Sequence, residues 1–154
     1  MYRKSCIPSS ISQWNMLEND LKYAASITSL KYNFNHQSQT KVPPHFFHGG
    51  RYLSVIHARL RNRCSNLNFD LYENHLTDIP NCSYCNRIED AEHYLFTCIR
   101  FLDQRIILFR ATRFCHPLNT KTLLYGRENL SHEENIQIVD AVHKFIKDTK
   151  RFTN

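Results

Sequence analysis

Glycine is nearly missing from this chain. Three occur in 154 residues, Gly49, Gly50 and Gly126, too few for a glycine-rich phosphate loop. No run approaches eighteen consecutive apolar residues, so no membrane-spanning helix is expected. The first twenty residues carry Arg3, Lys4, Glu18 and Asp20 with no apolar run among them, and no secretory leader is read there. Neither G-x-S-x-G nor H-E-x-x-H occurs, and nothing suggests a hydrolytic triad. The six cysteines are not spaced as a disulfide framework. A reducing compartment, nuclear or cytoplasmic, is therefore expected, and there thiols serve as metal ligands more often than as bridges. Internal repeats and low-complexity tracts are also missing.

What is present centres on Cys82, Cys85, His93 and Cys98, spaced C-x2-C-x7-H-x4-C. Zinc takes four N/S ligands in a tetrahedron, and two thiolates two residues apart can bind one ion from a tight turn. Pro80-Asn81 before the first cysteine and Asn86 after the second supply turn residues. Free cysteine is often only a small buried hydrophobe. The third cysteine and the histidine shift the balance to zinc as cofactor. Cys6, Cys64 and Cys115 stand alone and read as buried or idle thiols, with His75 and His116 as spare ligands.

A zinc enzyme is the sharpest rival reading. Nucleobase deaminases place H-x-E upstream of P-C-x-x-C, and the glutamate shuttles protons. Here His57-Ala58-Arg59 precedes Pro80-Asn81-Cys82, so arginine stands where the carboxylate must be. A catalytic site also leaves one zinc position open, whereas His93 and Cys98 would fill the shell. Asp70, Glu73 and Asp78 read as surface acids, and Glu89, Asp90 and Glu92 surround the zinc turn. No catalytic residue is assigned, and the chain is read as a non-enzyme.

Charge is the second signal. The net charge is +6 with histidines neutral, and the arginines cluster. Arg51, Arg59, Arg61 and Arg63 lie in a stretch without an acid from 51 to 69, and Arg100, Arg105, Arg110 and Arg113 follow the cysteines with only Asp103 among them. Such runs can be solvated helix faces. Two of them bracketing a zinc module point to phosphate contact.

Hydrophobic spacing gives a mostly α fold: a small helical domain built around a CCHC zinc-binding turn. Ile11, Trp14, Leu17 and Leu21 mark one helix or two short ones over 11–34. Polar residues and Pro43-Pro44 end it in a linker, so residues 1–44 form an N-terminal helical segment with a proline-containing linker and 45–154 a zinc-knuckle-like domain. Further helices are expected from Tyr52 to Arg63, with Leu53, Ile56 and Leu60 inward, and over 66–75, with Leu67, Leu71 and Leu76 facing the zinc turn. Asp90 is placed to cap a short helix from Ala91. His93 and Cys98 are five apart, about 140° around an ideal helix, so that helix must end or bend between them. Ile99 to Arg113 reads as a firm helix. Thr120 to Tyr125 is a short one capped by Gly126. Ser131-His132-Glu133-Glu134 is a capping box opening a last helix with Ile136, Val139, Val142 and Ile146 inward.

Three blocks in order resemble a known family. The first is Trp14-Asn15-x-Leu17 with Ala24-Ala25-Ser26-Ile27-x-Ser29-Leu30-Lys31. The second is Ser54-Val55-Ile56-His57-Ala58-Arg59-Leu60-Arg61, then Leu67-Asn68 and Leu71. The third is Cys82-x2-Cys85 with Ala91-Glu92-His93-Tyr94-Leu95-Phe96-x-Cys98 and Gln104-Arg105. Together they resemble the C-terminal tail of reverse transcriptases from non-LTR (LINE-type) retrotransposons, where a CCHC knuckle-like motif trails the polymerase. The resemblance implies a tail that holds RNA or DNA, mainly by its phosphate backbone, beside the polymerase region of the same element. It makes Cys82, Cys85, His93 and Cys98 the metal ligands and Arg59, Arg61 and Arg63 nucleic-acid contacts, with Arg100 and Arg105 from the second cluster. No polymerase aspartate pair, palm or endonuclease site lies in these residues, and the seven-residue middle spacing is longer than in gag-type knuckles. The alternative is a protein-docking module whose zinc is purely structural.

Overall fold

The computed structural model describes residues 42–153. The chain divides into two units, Met1–Pro43 and Pro44–Asn154. The helical stretch expected over 11–34, as one helix or two, lies outside the described residues.

The second unit is helical, in the order α1 (Arg51–Arg61), α2 (Asn68–Glu73), α3 (Leu102–Ala111), α4 (Thr120–Tyr125) and α5 (His132–Thr149). Short 3-10 turns at Pro44–Phe47, Ile99–Phe101 and Arg113–Cys115 and a π turn at His93–Thr97 complete it. Among the described residues the only extended pairing is one antiparallel bridge, Asn81 with Ile88. No helix among them is long and apolar enough to cross a membrane.

Helix α5 is the hub, and α1, α3, α4 and the Pro44–Phe47 turn all pack on it. Its start is fixed locally by the expected capping box: Ser131 Oγ accepts the Glu134 N–H at 3.1 Å, and Glu134 Oε2 accepts the Ser131 N–H at 2.8 Å. Val139, Val142 and Ile146 are buried as their spacing predicts, joined by Ile138, Ala141 and Phe145. An apolar face this wide is what a helix packed on several sides requires. In α1, Ile56 and Leu60 are buried with Leu53 packed against the core. Gly126 ends α4 with φ +73, a left-handed position that glycine takes without strain. A Cβ there would also lie 2.2 Å from Asn135 Oδ1.

Two readings of packing change. Leu67 is fully buried, but Leu76 is 62% exposed, because the chain turns at His75 with φ +56 and carries Leu76 outward. Asp70, expected on the surface, is buried. Its carboxylate accepts the Ser65 N–H at 3.0 Å and the Ser65 hydroxyl, and burial raises its pKa. A carboxylate caged by local donors tolerates burial, and alternation along 67–72 gave no sign of that cage.

Candidate metal centre

The first two cysteines sit on a tight hairpin. Cys82 N–H donates to the Arg87 carbonyl at 2.7 Å, Asn86 N–H to the Cys82 carbonyl at 2.9 Å and Glu89 N–H to the Pro80 carbonyl at 2.9 Å. Asn86 takes φ +55, which asparagine tolerates better than most residues. The hairpin turns the N–H groups of Tyr84 and Cys85 onto the Cys82 sulfur. Burial raises the Cys82 pKa, but those two N–H groups, helped by the Cys85 and Cys98 side chains, outweigh it and bring the thiol down.

The other two donors come from the turn after it. Asp90 Oδ1 accepts the His93 N–H at 2.7 Å, the expected cap. The chain then makes a π turn, in which Cys98 N–H donates to the His93 carbonyl at 2.8 Å, and leaves the helix at Cys98 with φ −62 and ψ 119. The expected bend therefore takes a definite form. A bond spanning five residues widens the turn, which swings Cys98 back toward the side of His93.

The four donor atoms converge. Sγ of Cys82, Cys85 and Cys98 and a ring nitrogen of His93 all lie within 4.8 Å of one another. Cys82 Sγ is 3.9 Å from Cys98 Sγ, and Cys85 Sγ is 3.2 Å from His93 Nε2. Bond lengths of about 2.3 Å to sulfur and about 2.0 Å to nitrogen imply tetrahedral edges of about 3.8 Å between sulfurs and about 3.5 Å from sulfur to nitrogen. The set is close to a closed four-coordinate shell and can hold a metal ion.

The surroundings favour that use. Thr97 Oγ1 lies 3.0 Å from His93 Nδ1 and donates to the His93 carbonyl at 3.5 Å. That leaves the hydroxyl oxygen to accept from Nδ1–H, which puts the lone pair on Nε2, facing the sulfurs. Partners of this kind orient metal-bound imidazole. Burial lowers the His93 pKa, keeping the ring neutral, and burial raises that of Cys98 even though the Arg100 N–H donates to its sulfur. Cys82, His93 and Cys98 are buried and Cys85 half-buried. Once ionised, three thiolates in so small a space repel one another, and a bound cation relieves that repulsion.

Compared with known proteins, the chain matches no family, no curated protein and no solved structure.

The predicted arginines divide sharply. Arg59, Arg63 and Arg100 are exposed, Arg100 lying 5.5 Å over the ring of Phe101. Arg61 is half-buried, with its guanidinium 3.8 Å over Phe46 and its Nε donating to the Leu124 carbonyl. Burial lowers its pKa to about 10. Arg105 departs furthest from expectation. It is 5% exposed, and its Nε and Nη2 donate to the carbonyls of Leu95 and Cys98 at 2.9 and 2.6 Å. The Cys98 carbonyl also accepts the Phe101 N–H at 3.2 Å, whereas the buried Leu95 carbonyl takes its donor from Arg105, as a buried acceptor requires. Arg105 fastens the metal-site turn to α3 and offers no free face to a phosphate.

Tyr94, between two ligands, is fully buried. Its ring meets Phe101, Phe145 and Phe152 edge-on at 5.1–5.4 Å, and its hydroxyl donates to Thr149 Oγ1 at 2.7 Å. Each such aromatic pair adds about 0.5–1.5 kcal/mol beyond burial, so the ligand turn is bolted to α5. Tyr84 is exposed. Glu89, one of the acids around the turn, is buried and paired with Arg151. His57, the histidine of the deaminase-like motif, is buried against Leu123, away from the cysteines. His75 and His116 are exposed and outside the ligand set.

Proposed function

We propose that this chain is a zinc-stabilised, non-catalytic nucleic-acid-binding module of the kind that ends non-LTR retrotransposon reverse transcriptases. The observation that carries it is the convergence of Cys82, Cys85, His93 and Cys98 within 4.8 Å. Three soft thiolates and one imidazole in a closed tetrahedral set suit zinc better than magnesium or calcium, which take oxygen ligands. A shell filled by four protein ligands leaves no position for a reacting water. The ion's role is then to hold the hairpin and the π turn together, a contribution of about 10–16 kcal/mol in small zinc modules.

Nucleic-acid contact is supported by the +6 net charge and by the exposed Arg59, Arg63 and Arg100. Binding of this type is largely independent of base sequence and weakens with salt. A docking role is the second reading, favoured by the apolar face that α3 leaves exposed.

The test has two arms. Purified full chain should carry one zinc, and Cys98→Ser should lose it; unchanged metal content would remove the site. Zinc-loaded chain should bind a single-stranded RNA with an affinity that falls as salt rises. Replacing Arg59 and Arg63 with alanine should flatten the log–log slope by about 1.4, about 0.7 per phosphate contact on a single strand. No binding at low salt would leave docking as the function.

A further inference from the structure

Helix α3 buries one side only. Phe101, Arg105, Leu108 and Thr112 face the core, while Leu102, Asp103, Ile106, Ile107 and Arg110 face solvent. On a helix advancing 100° per residue these form two opposite faces. The flanking 3-10 turns add Ile99 and Phe114 to the outer side. Exposed branched side chains in succession on one helix are unusual for a lone domain and mark an interaction surface.

The face carries one acid and one central base. Asp103 and Arg110 take part in none of the ion pairs among the described residues. Seven residues apart, they are separated by about 10.5 Å along α3, too far to pair with each other. We infer that a second copy of this chain docks there, with the two α3 helices antiparallel about a twofold axis between Ile106 and Ile107.

The register follows from the sequence. An axis at that point places Ile106 against Ile107 of the other copy, Leu102 against Ala111 and Ile99 against Phe114. It also places Asp103 against Arg110 twice over. One surface is thus complementary to itself in charge and in apolar contact, as a twofold interface requires. Helix α3 spans Leu102–Ala111, so the axis falls at its midpoint and the flanking turns are placed symmetrically. The register sets Arg100 near Arg113 of the other copy, but at the ends of the patch, where water screens like charges.

A ten-residue helix is about 15 Å long, so the contact is smaller than the about 800 Å² per partner of a standard interface. Association falls at the weak, transient end of specific interfaces. Neither the metal site nor the nucleic-acid reading is needed for this association.

Sedimentation velocity on the zinc-loaded, nuclease-treated full chain tests it. Over loading concentrations from about 1 µM to about 1 mM, the mass should rise from monomer toward dimer. Ile106→Glu, which puts two carboxylates on the axis, should abolish the rise. Asp103→Arg should weaken dimerisation at least tenfold, and Asp103→Arg with Arg110→Asp should restore it by exchanging the pairs. Circular dichroism should match wild type in every variant, since all three positions are exposed. A chain that stays monomeric throughout, a dimer indifferent to Ile106→Glu, or a double variant no better than the single would each overturn the proposal.

Discussion

Replacing Arg151 with methionine isolates a buried charge beside the metal hairpin. Glu89 and Arg151 pair in two parallel bonds, Nε to Oε1 at 2.8 Å and Nη2 to Oε2 at 2.7 Å. Their side chains are 5% and 19% exposed. The same guanidinium donates to the Asn66 carbonyl at 3.0 Å, and Glu89 Oε2 also accepts the Asn68 N–H at 2.9 Å. Hydrogen bonding to Glu89 raises the Arg151 pKa against the opposing effect of burial. In Arg151→Met the carboxylate stays buried with a single N–H. Removing one partner of a buried pair costs about 3–5 kcal/mol; the partial exposure of Arg151 points to the low end, about 3 kcal/mol. That is a large share of a domain's about 5–15 kcal/mol. Urea unfolding of the metal-loaded chain at low micromolar concentration measures it. Adding Glu89→Gln removes the charge while its amide oxygen still accepts from Asn68, and should recover about 1–2 kcal/mol. A single variant costing under about 1 kcal/mol, or a double variant less stable than the single, refutes the reasoning.

Two further outcomes are expected. His57 has its pKa lowered from 6.5 to about 3 by burial and by the nearby Arg61 and His143, and its Nδ1 has no hydrogen-bond partner. The unfolded chain therefore takes up a proton that the folded one refuses, and stability falls as pH drops below about 6.5, by about 2 kcal/mol at pH 5. His57→Gln should flatten that part of the pH profile, and parallel profiles would count against it. Thr97→Val, which strips the hydroxyl from His93 Nδ1, should weaken zinc affinity about 10–100-fold in a chelator competition while leaving the helical content unchanged; undiminished affinity would show that Thr97 does not orient the ring.

Much of the outline was legible in the chain itself. The capping box at Ser131, the Asp90 cap and the Gly126 terminus are local signals, because each is satisfied by atoms within a few residues. The CCHC spacing belongs to the same class, since a turn and one short helix suffice to gather its four donors. Periodicity also found α1, α4 and α5.

What it missed was decided across distance. Arg105 looks like its neighbours in sequence, and nothing local distinguishes an arginine that plugs two buried carbonyls from one facing water. Glu89 finds its partner sixty-two residues on, and Leu102 and Ile106 are spaced like core residues yet lie on the face that α5 does not cover. The sequence by itself determined where helices begin, where they stop and which four side chains can share an ion. The tertiary structure alone decided which charges are buried and which apolar faces are left open, because burial depends on what the rest of the chain brings alongside.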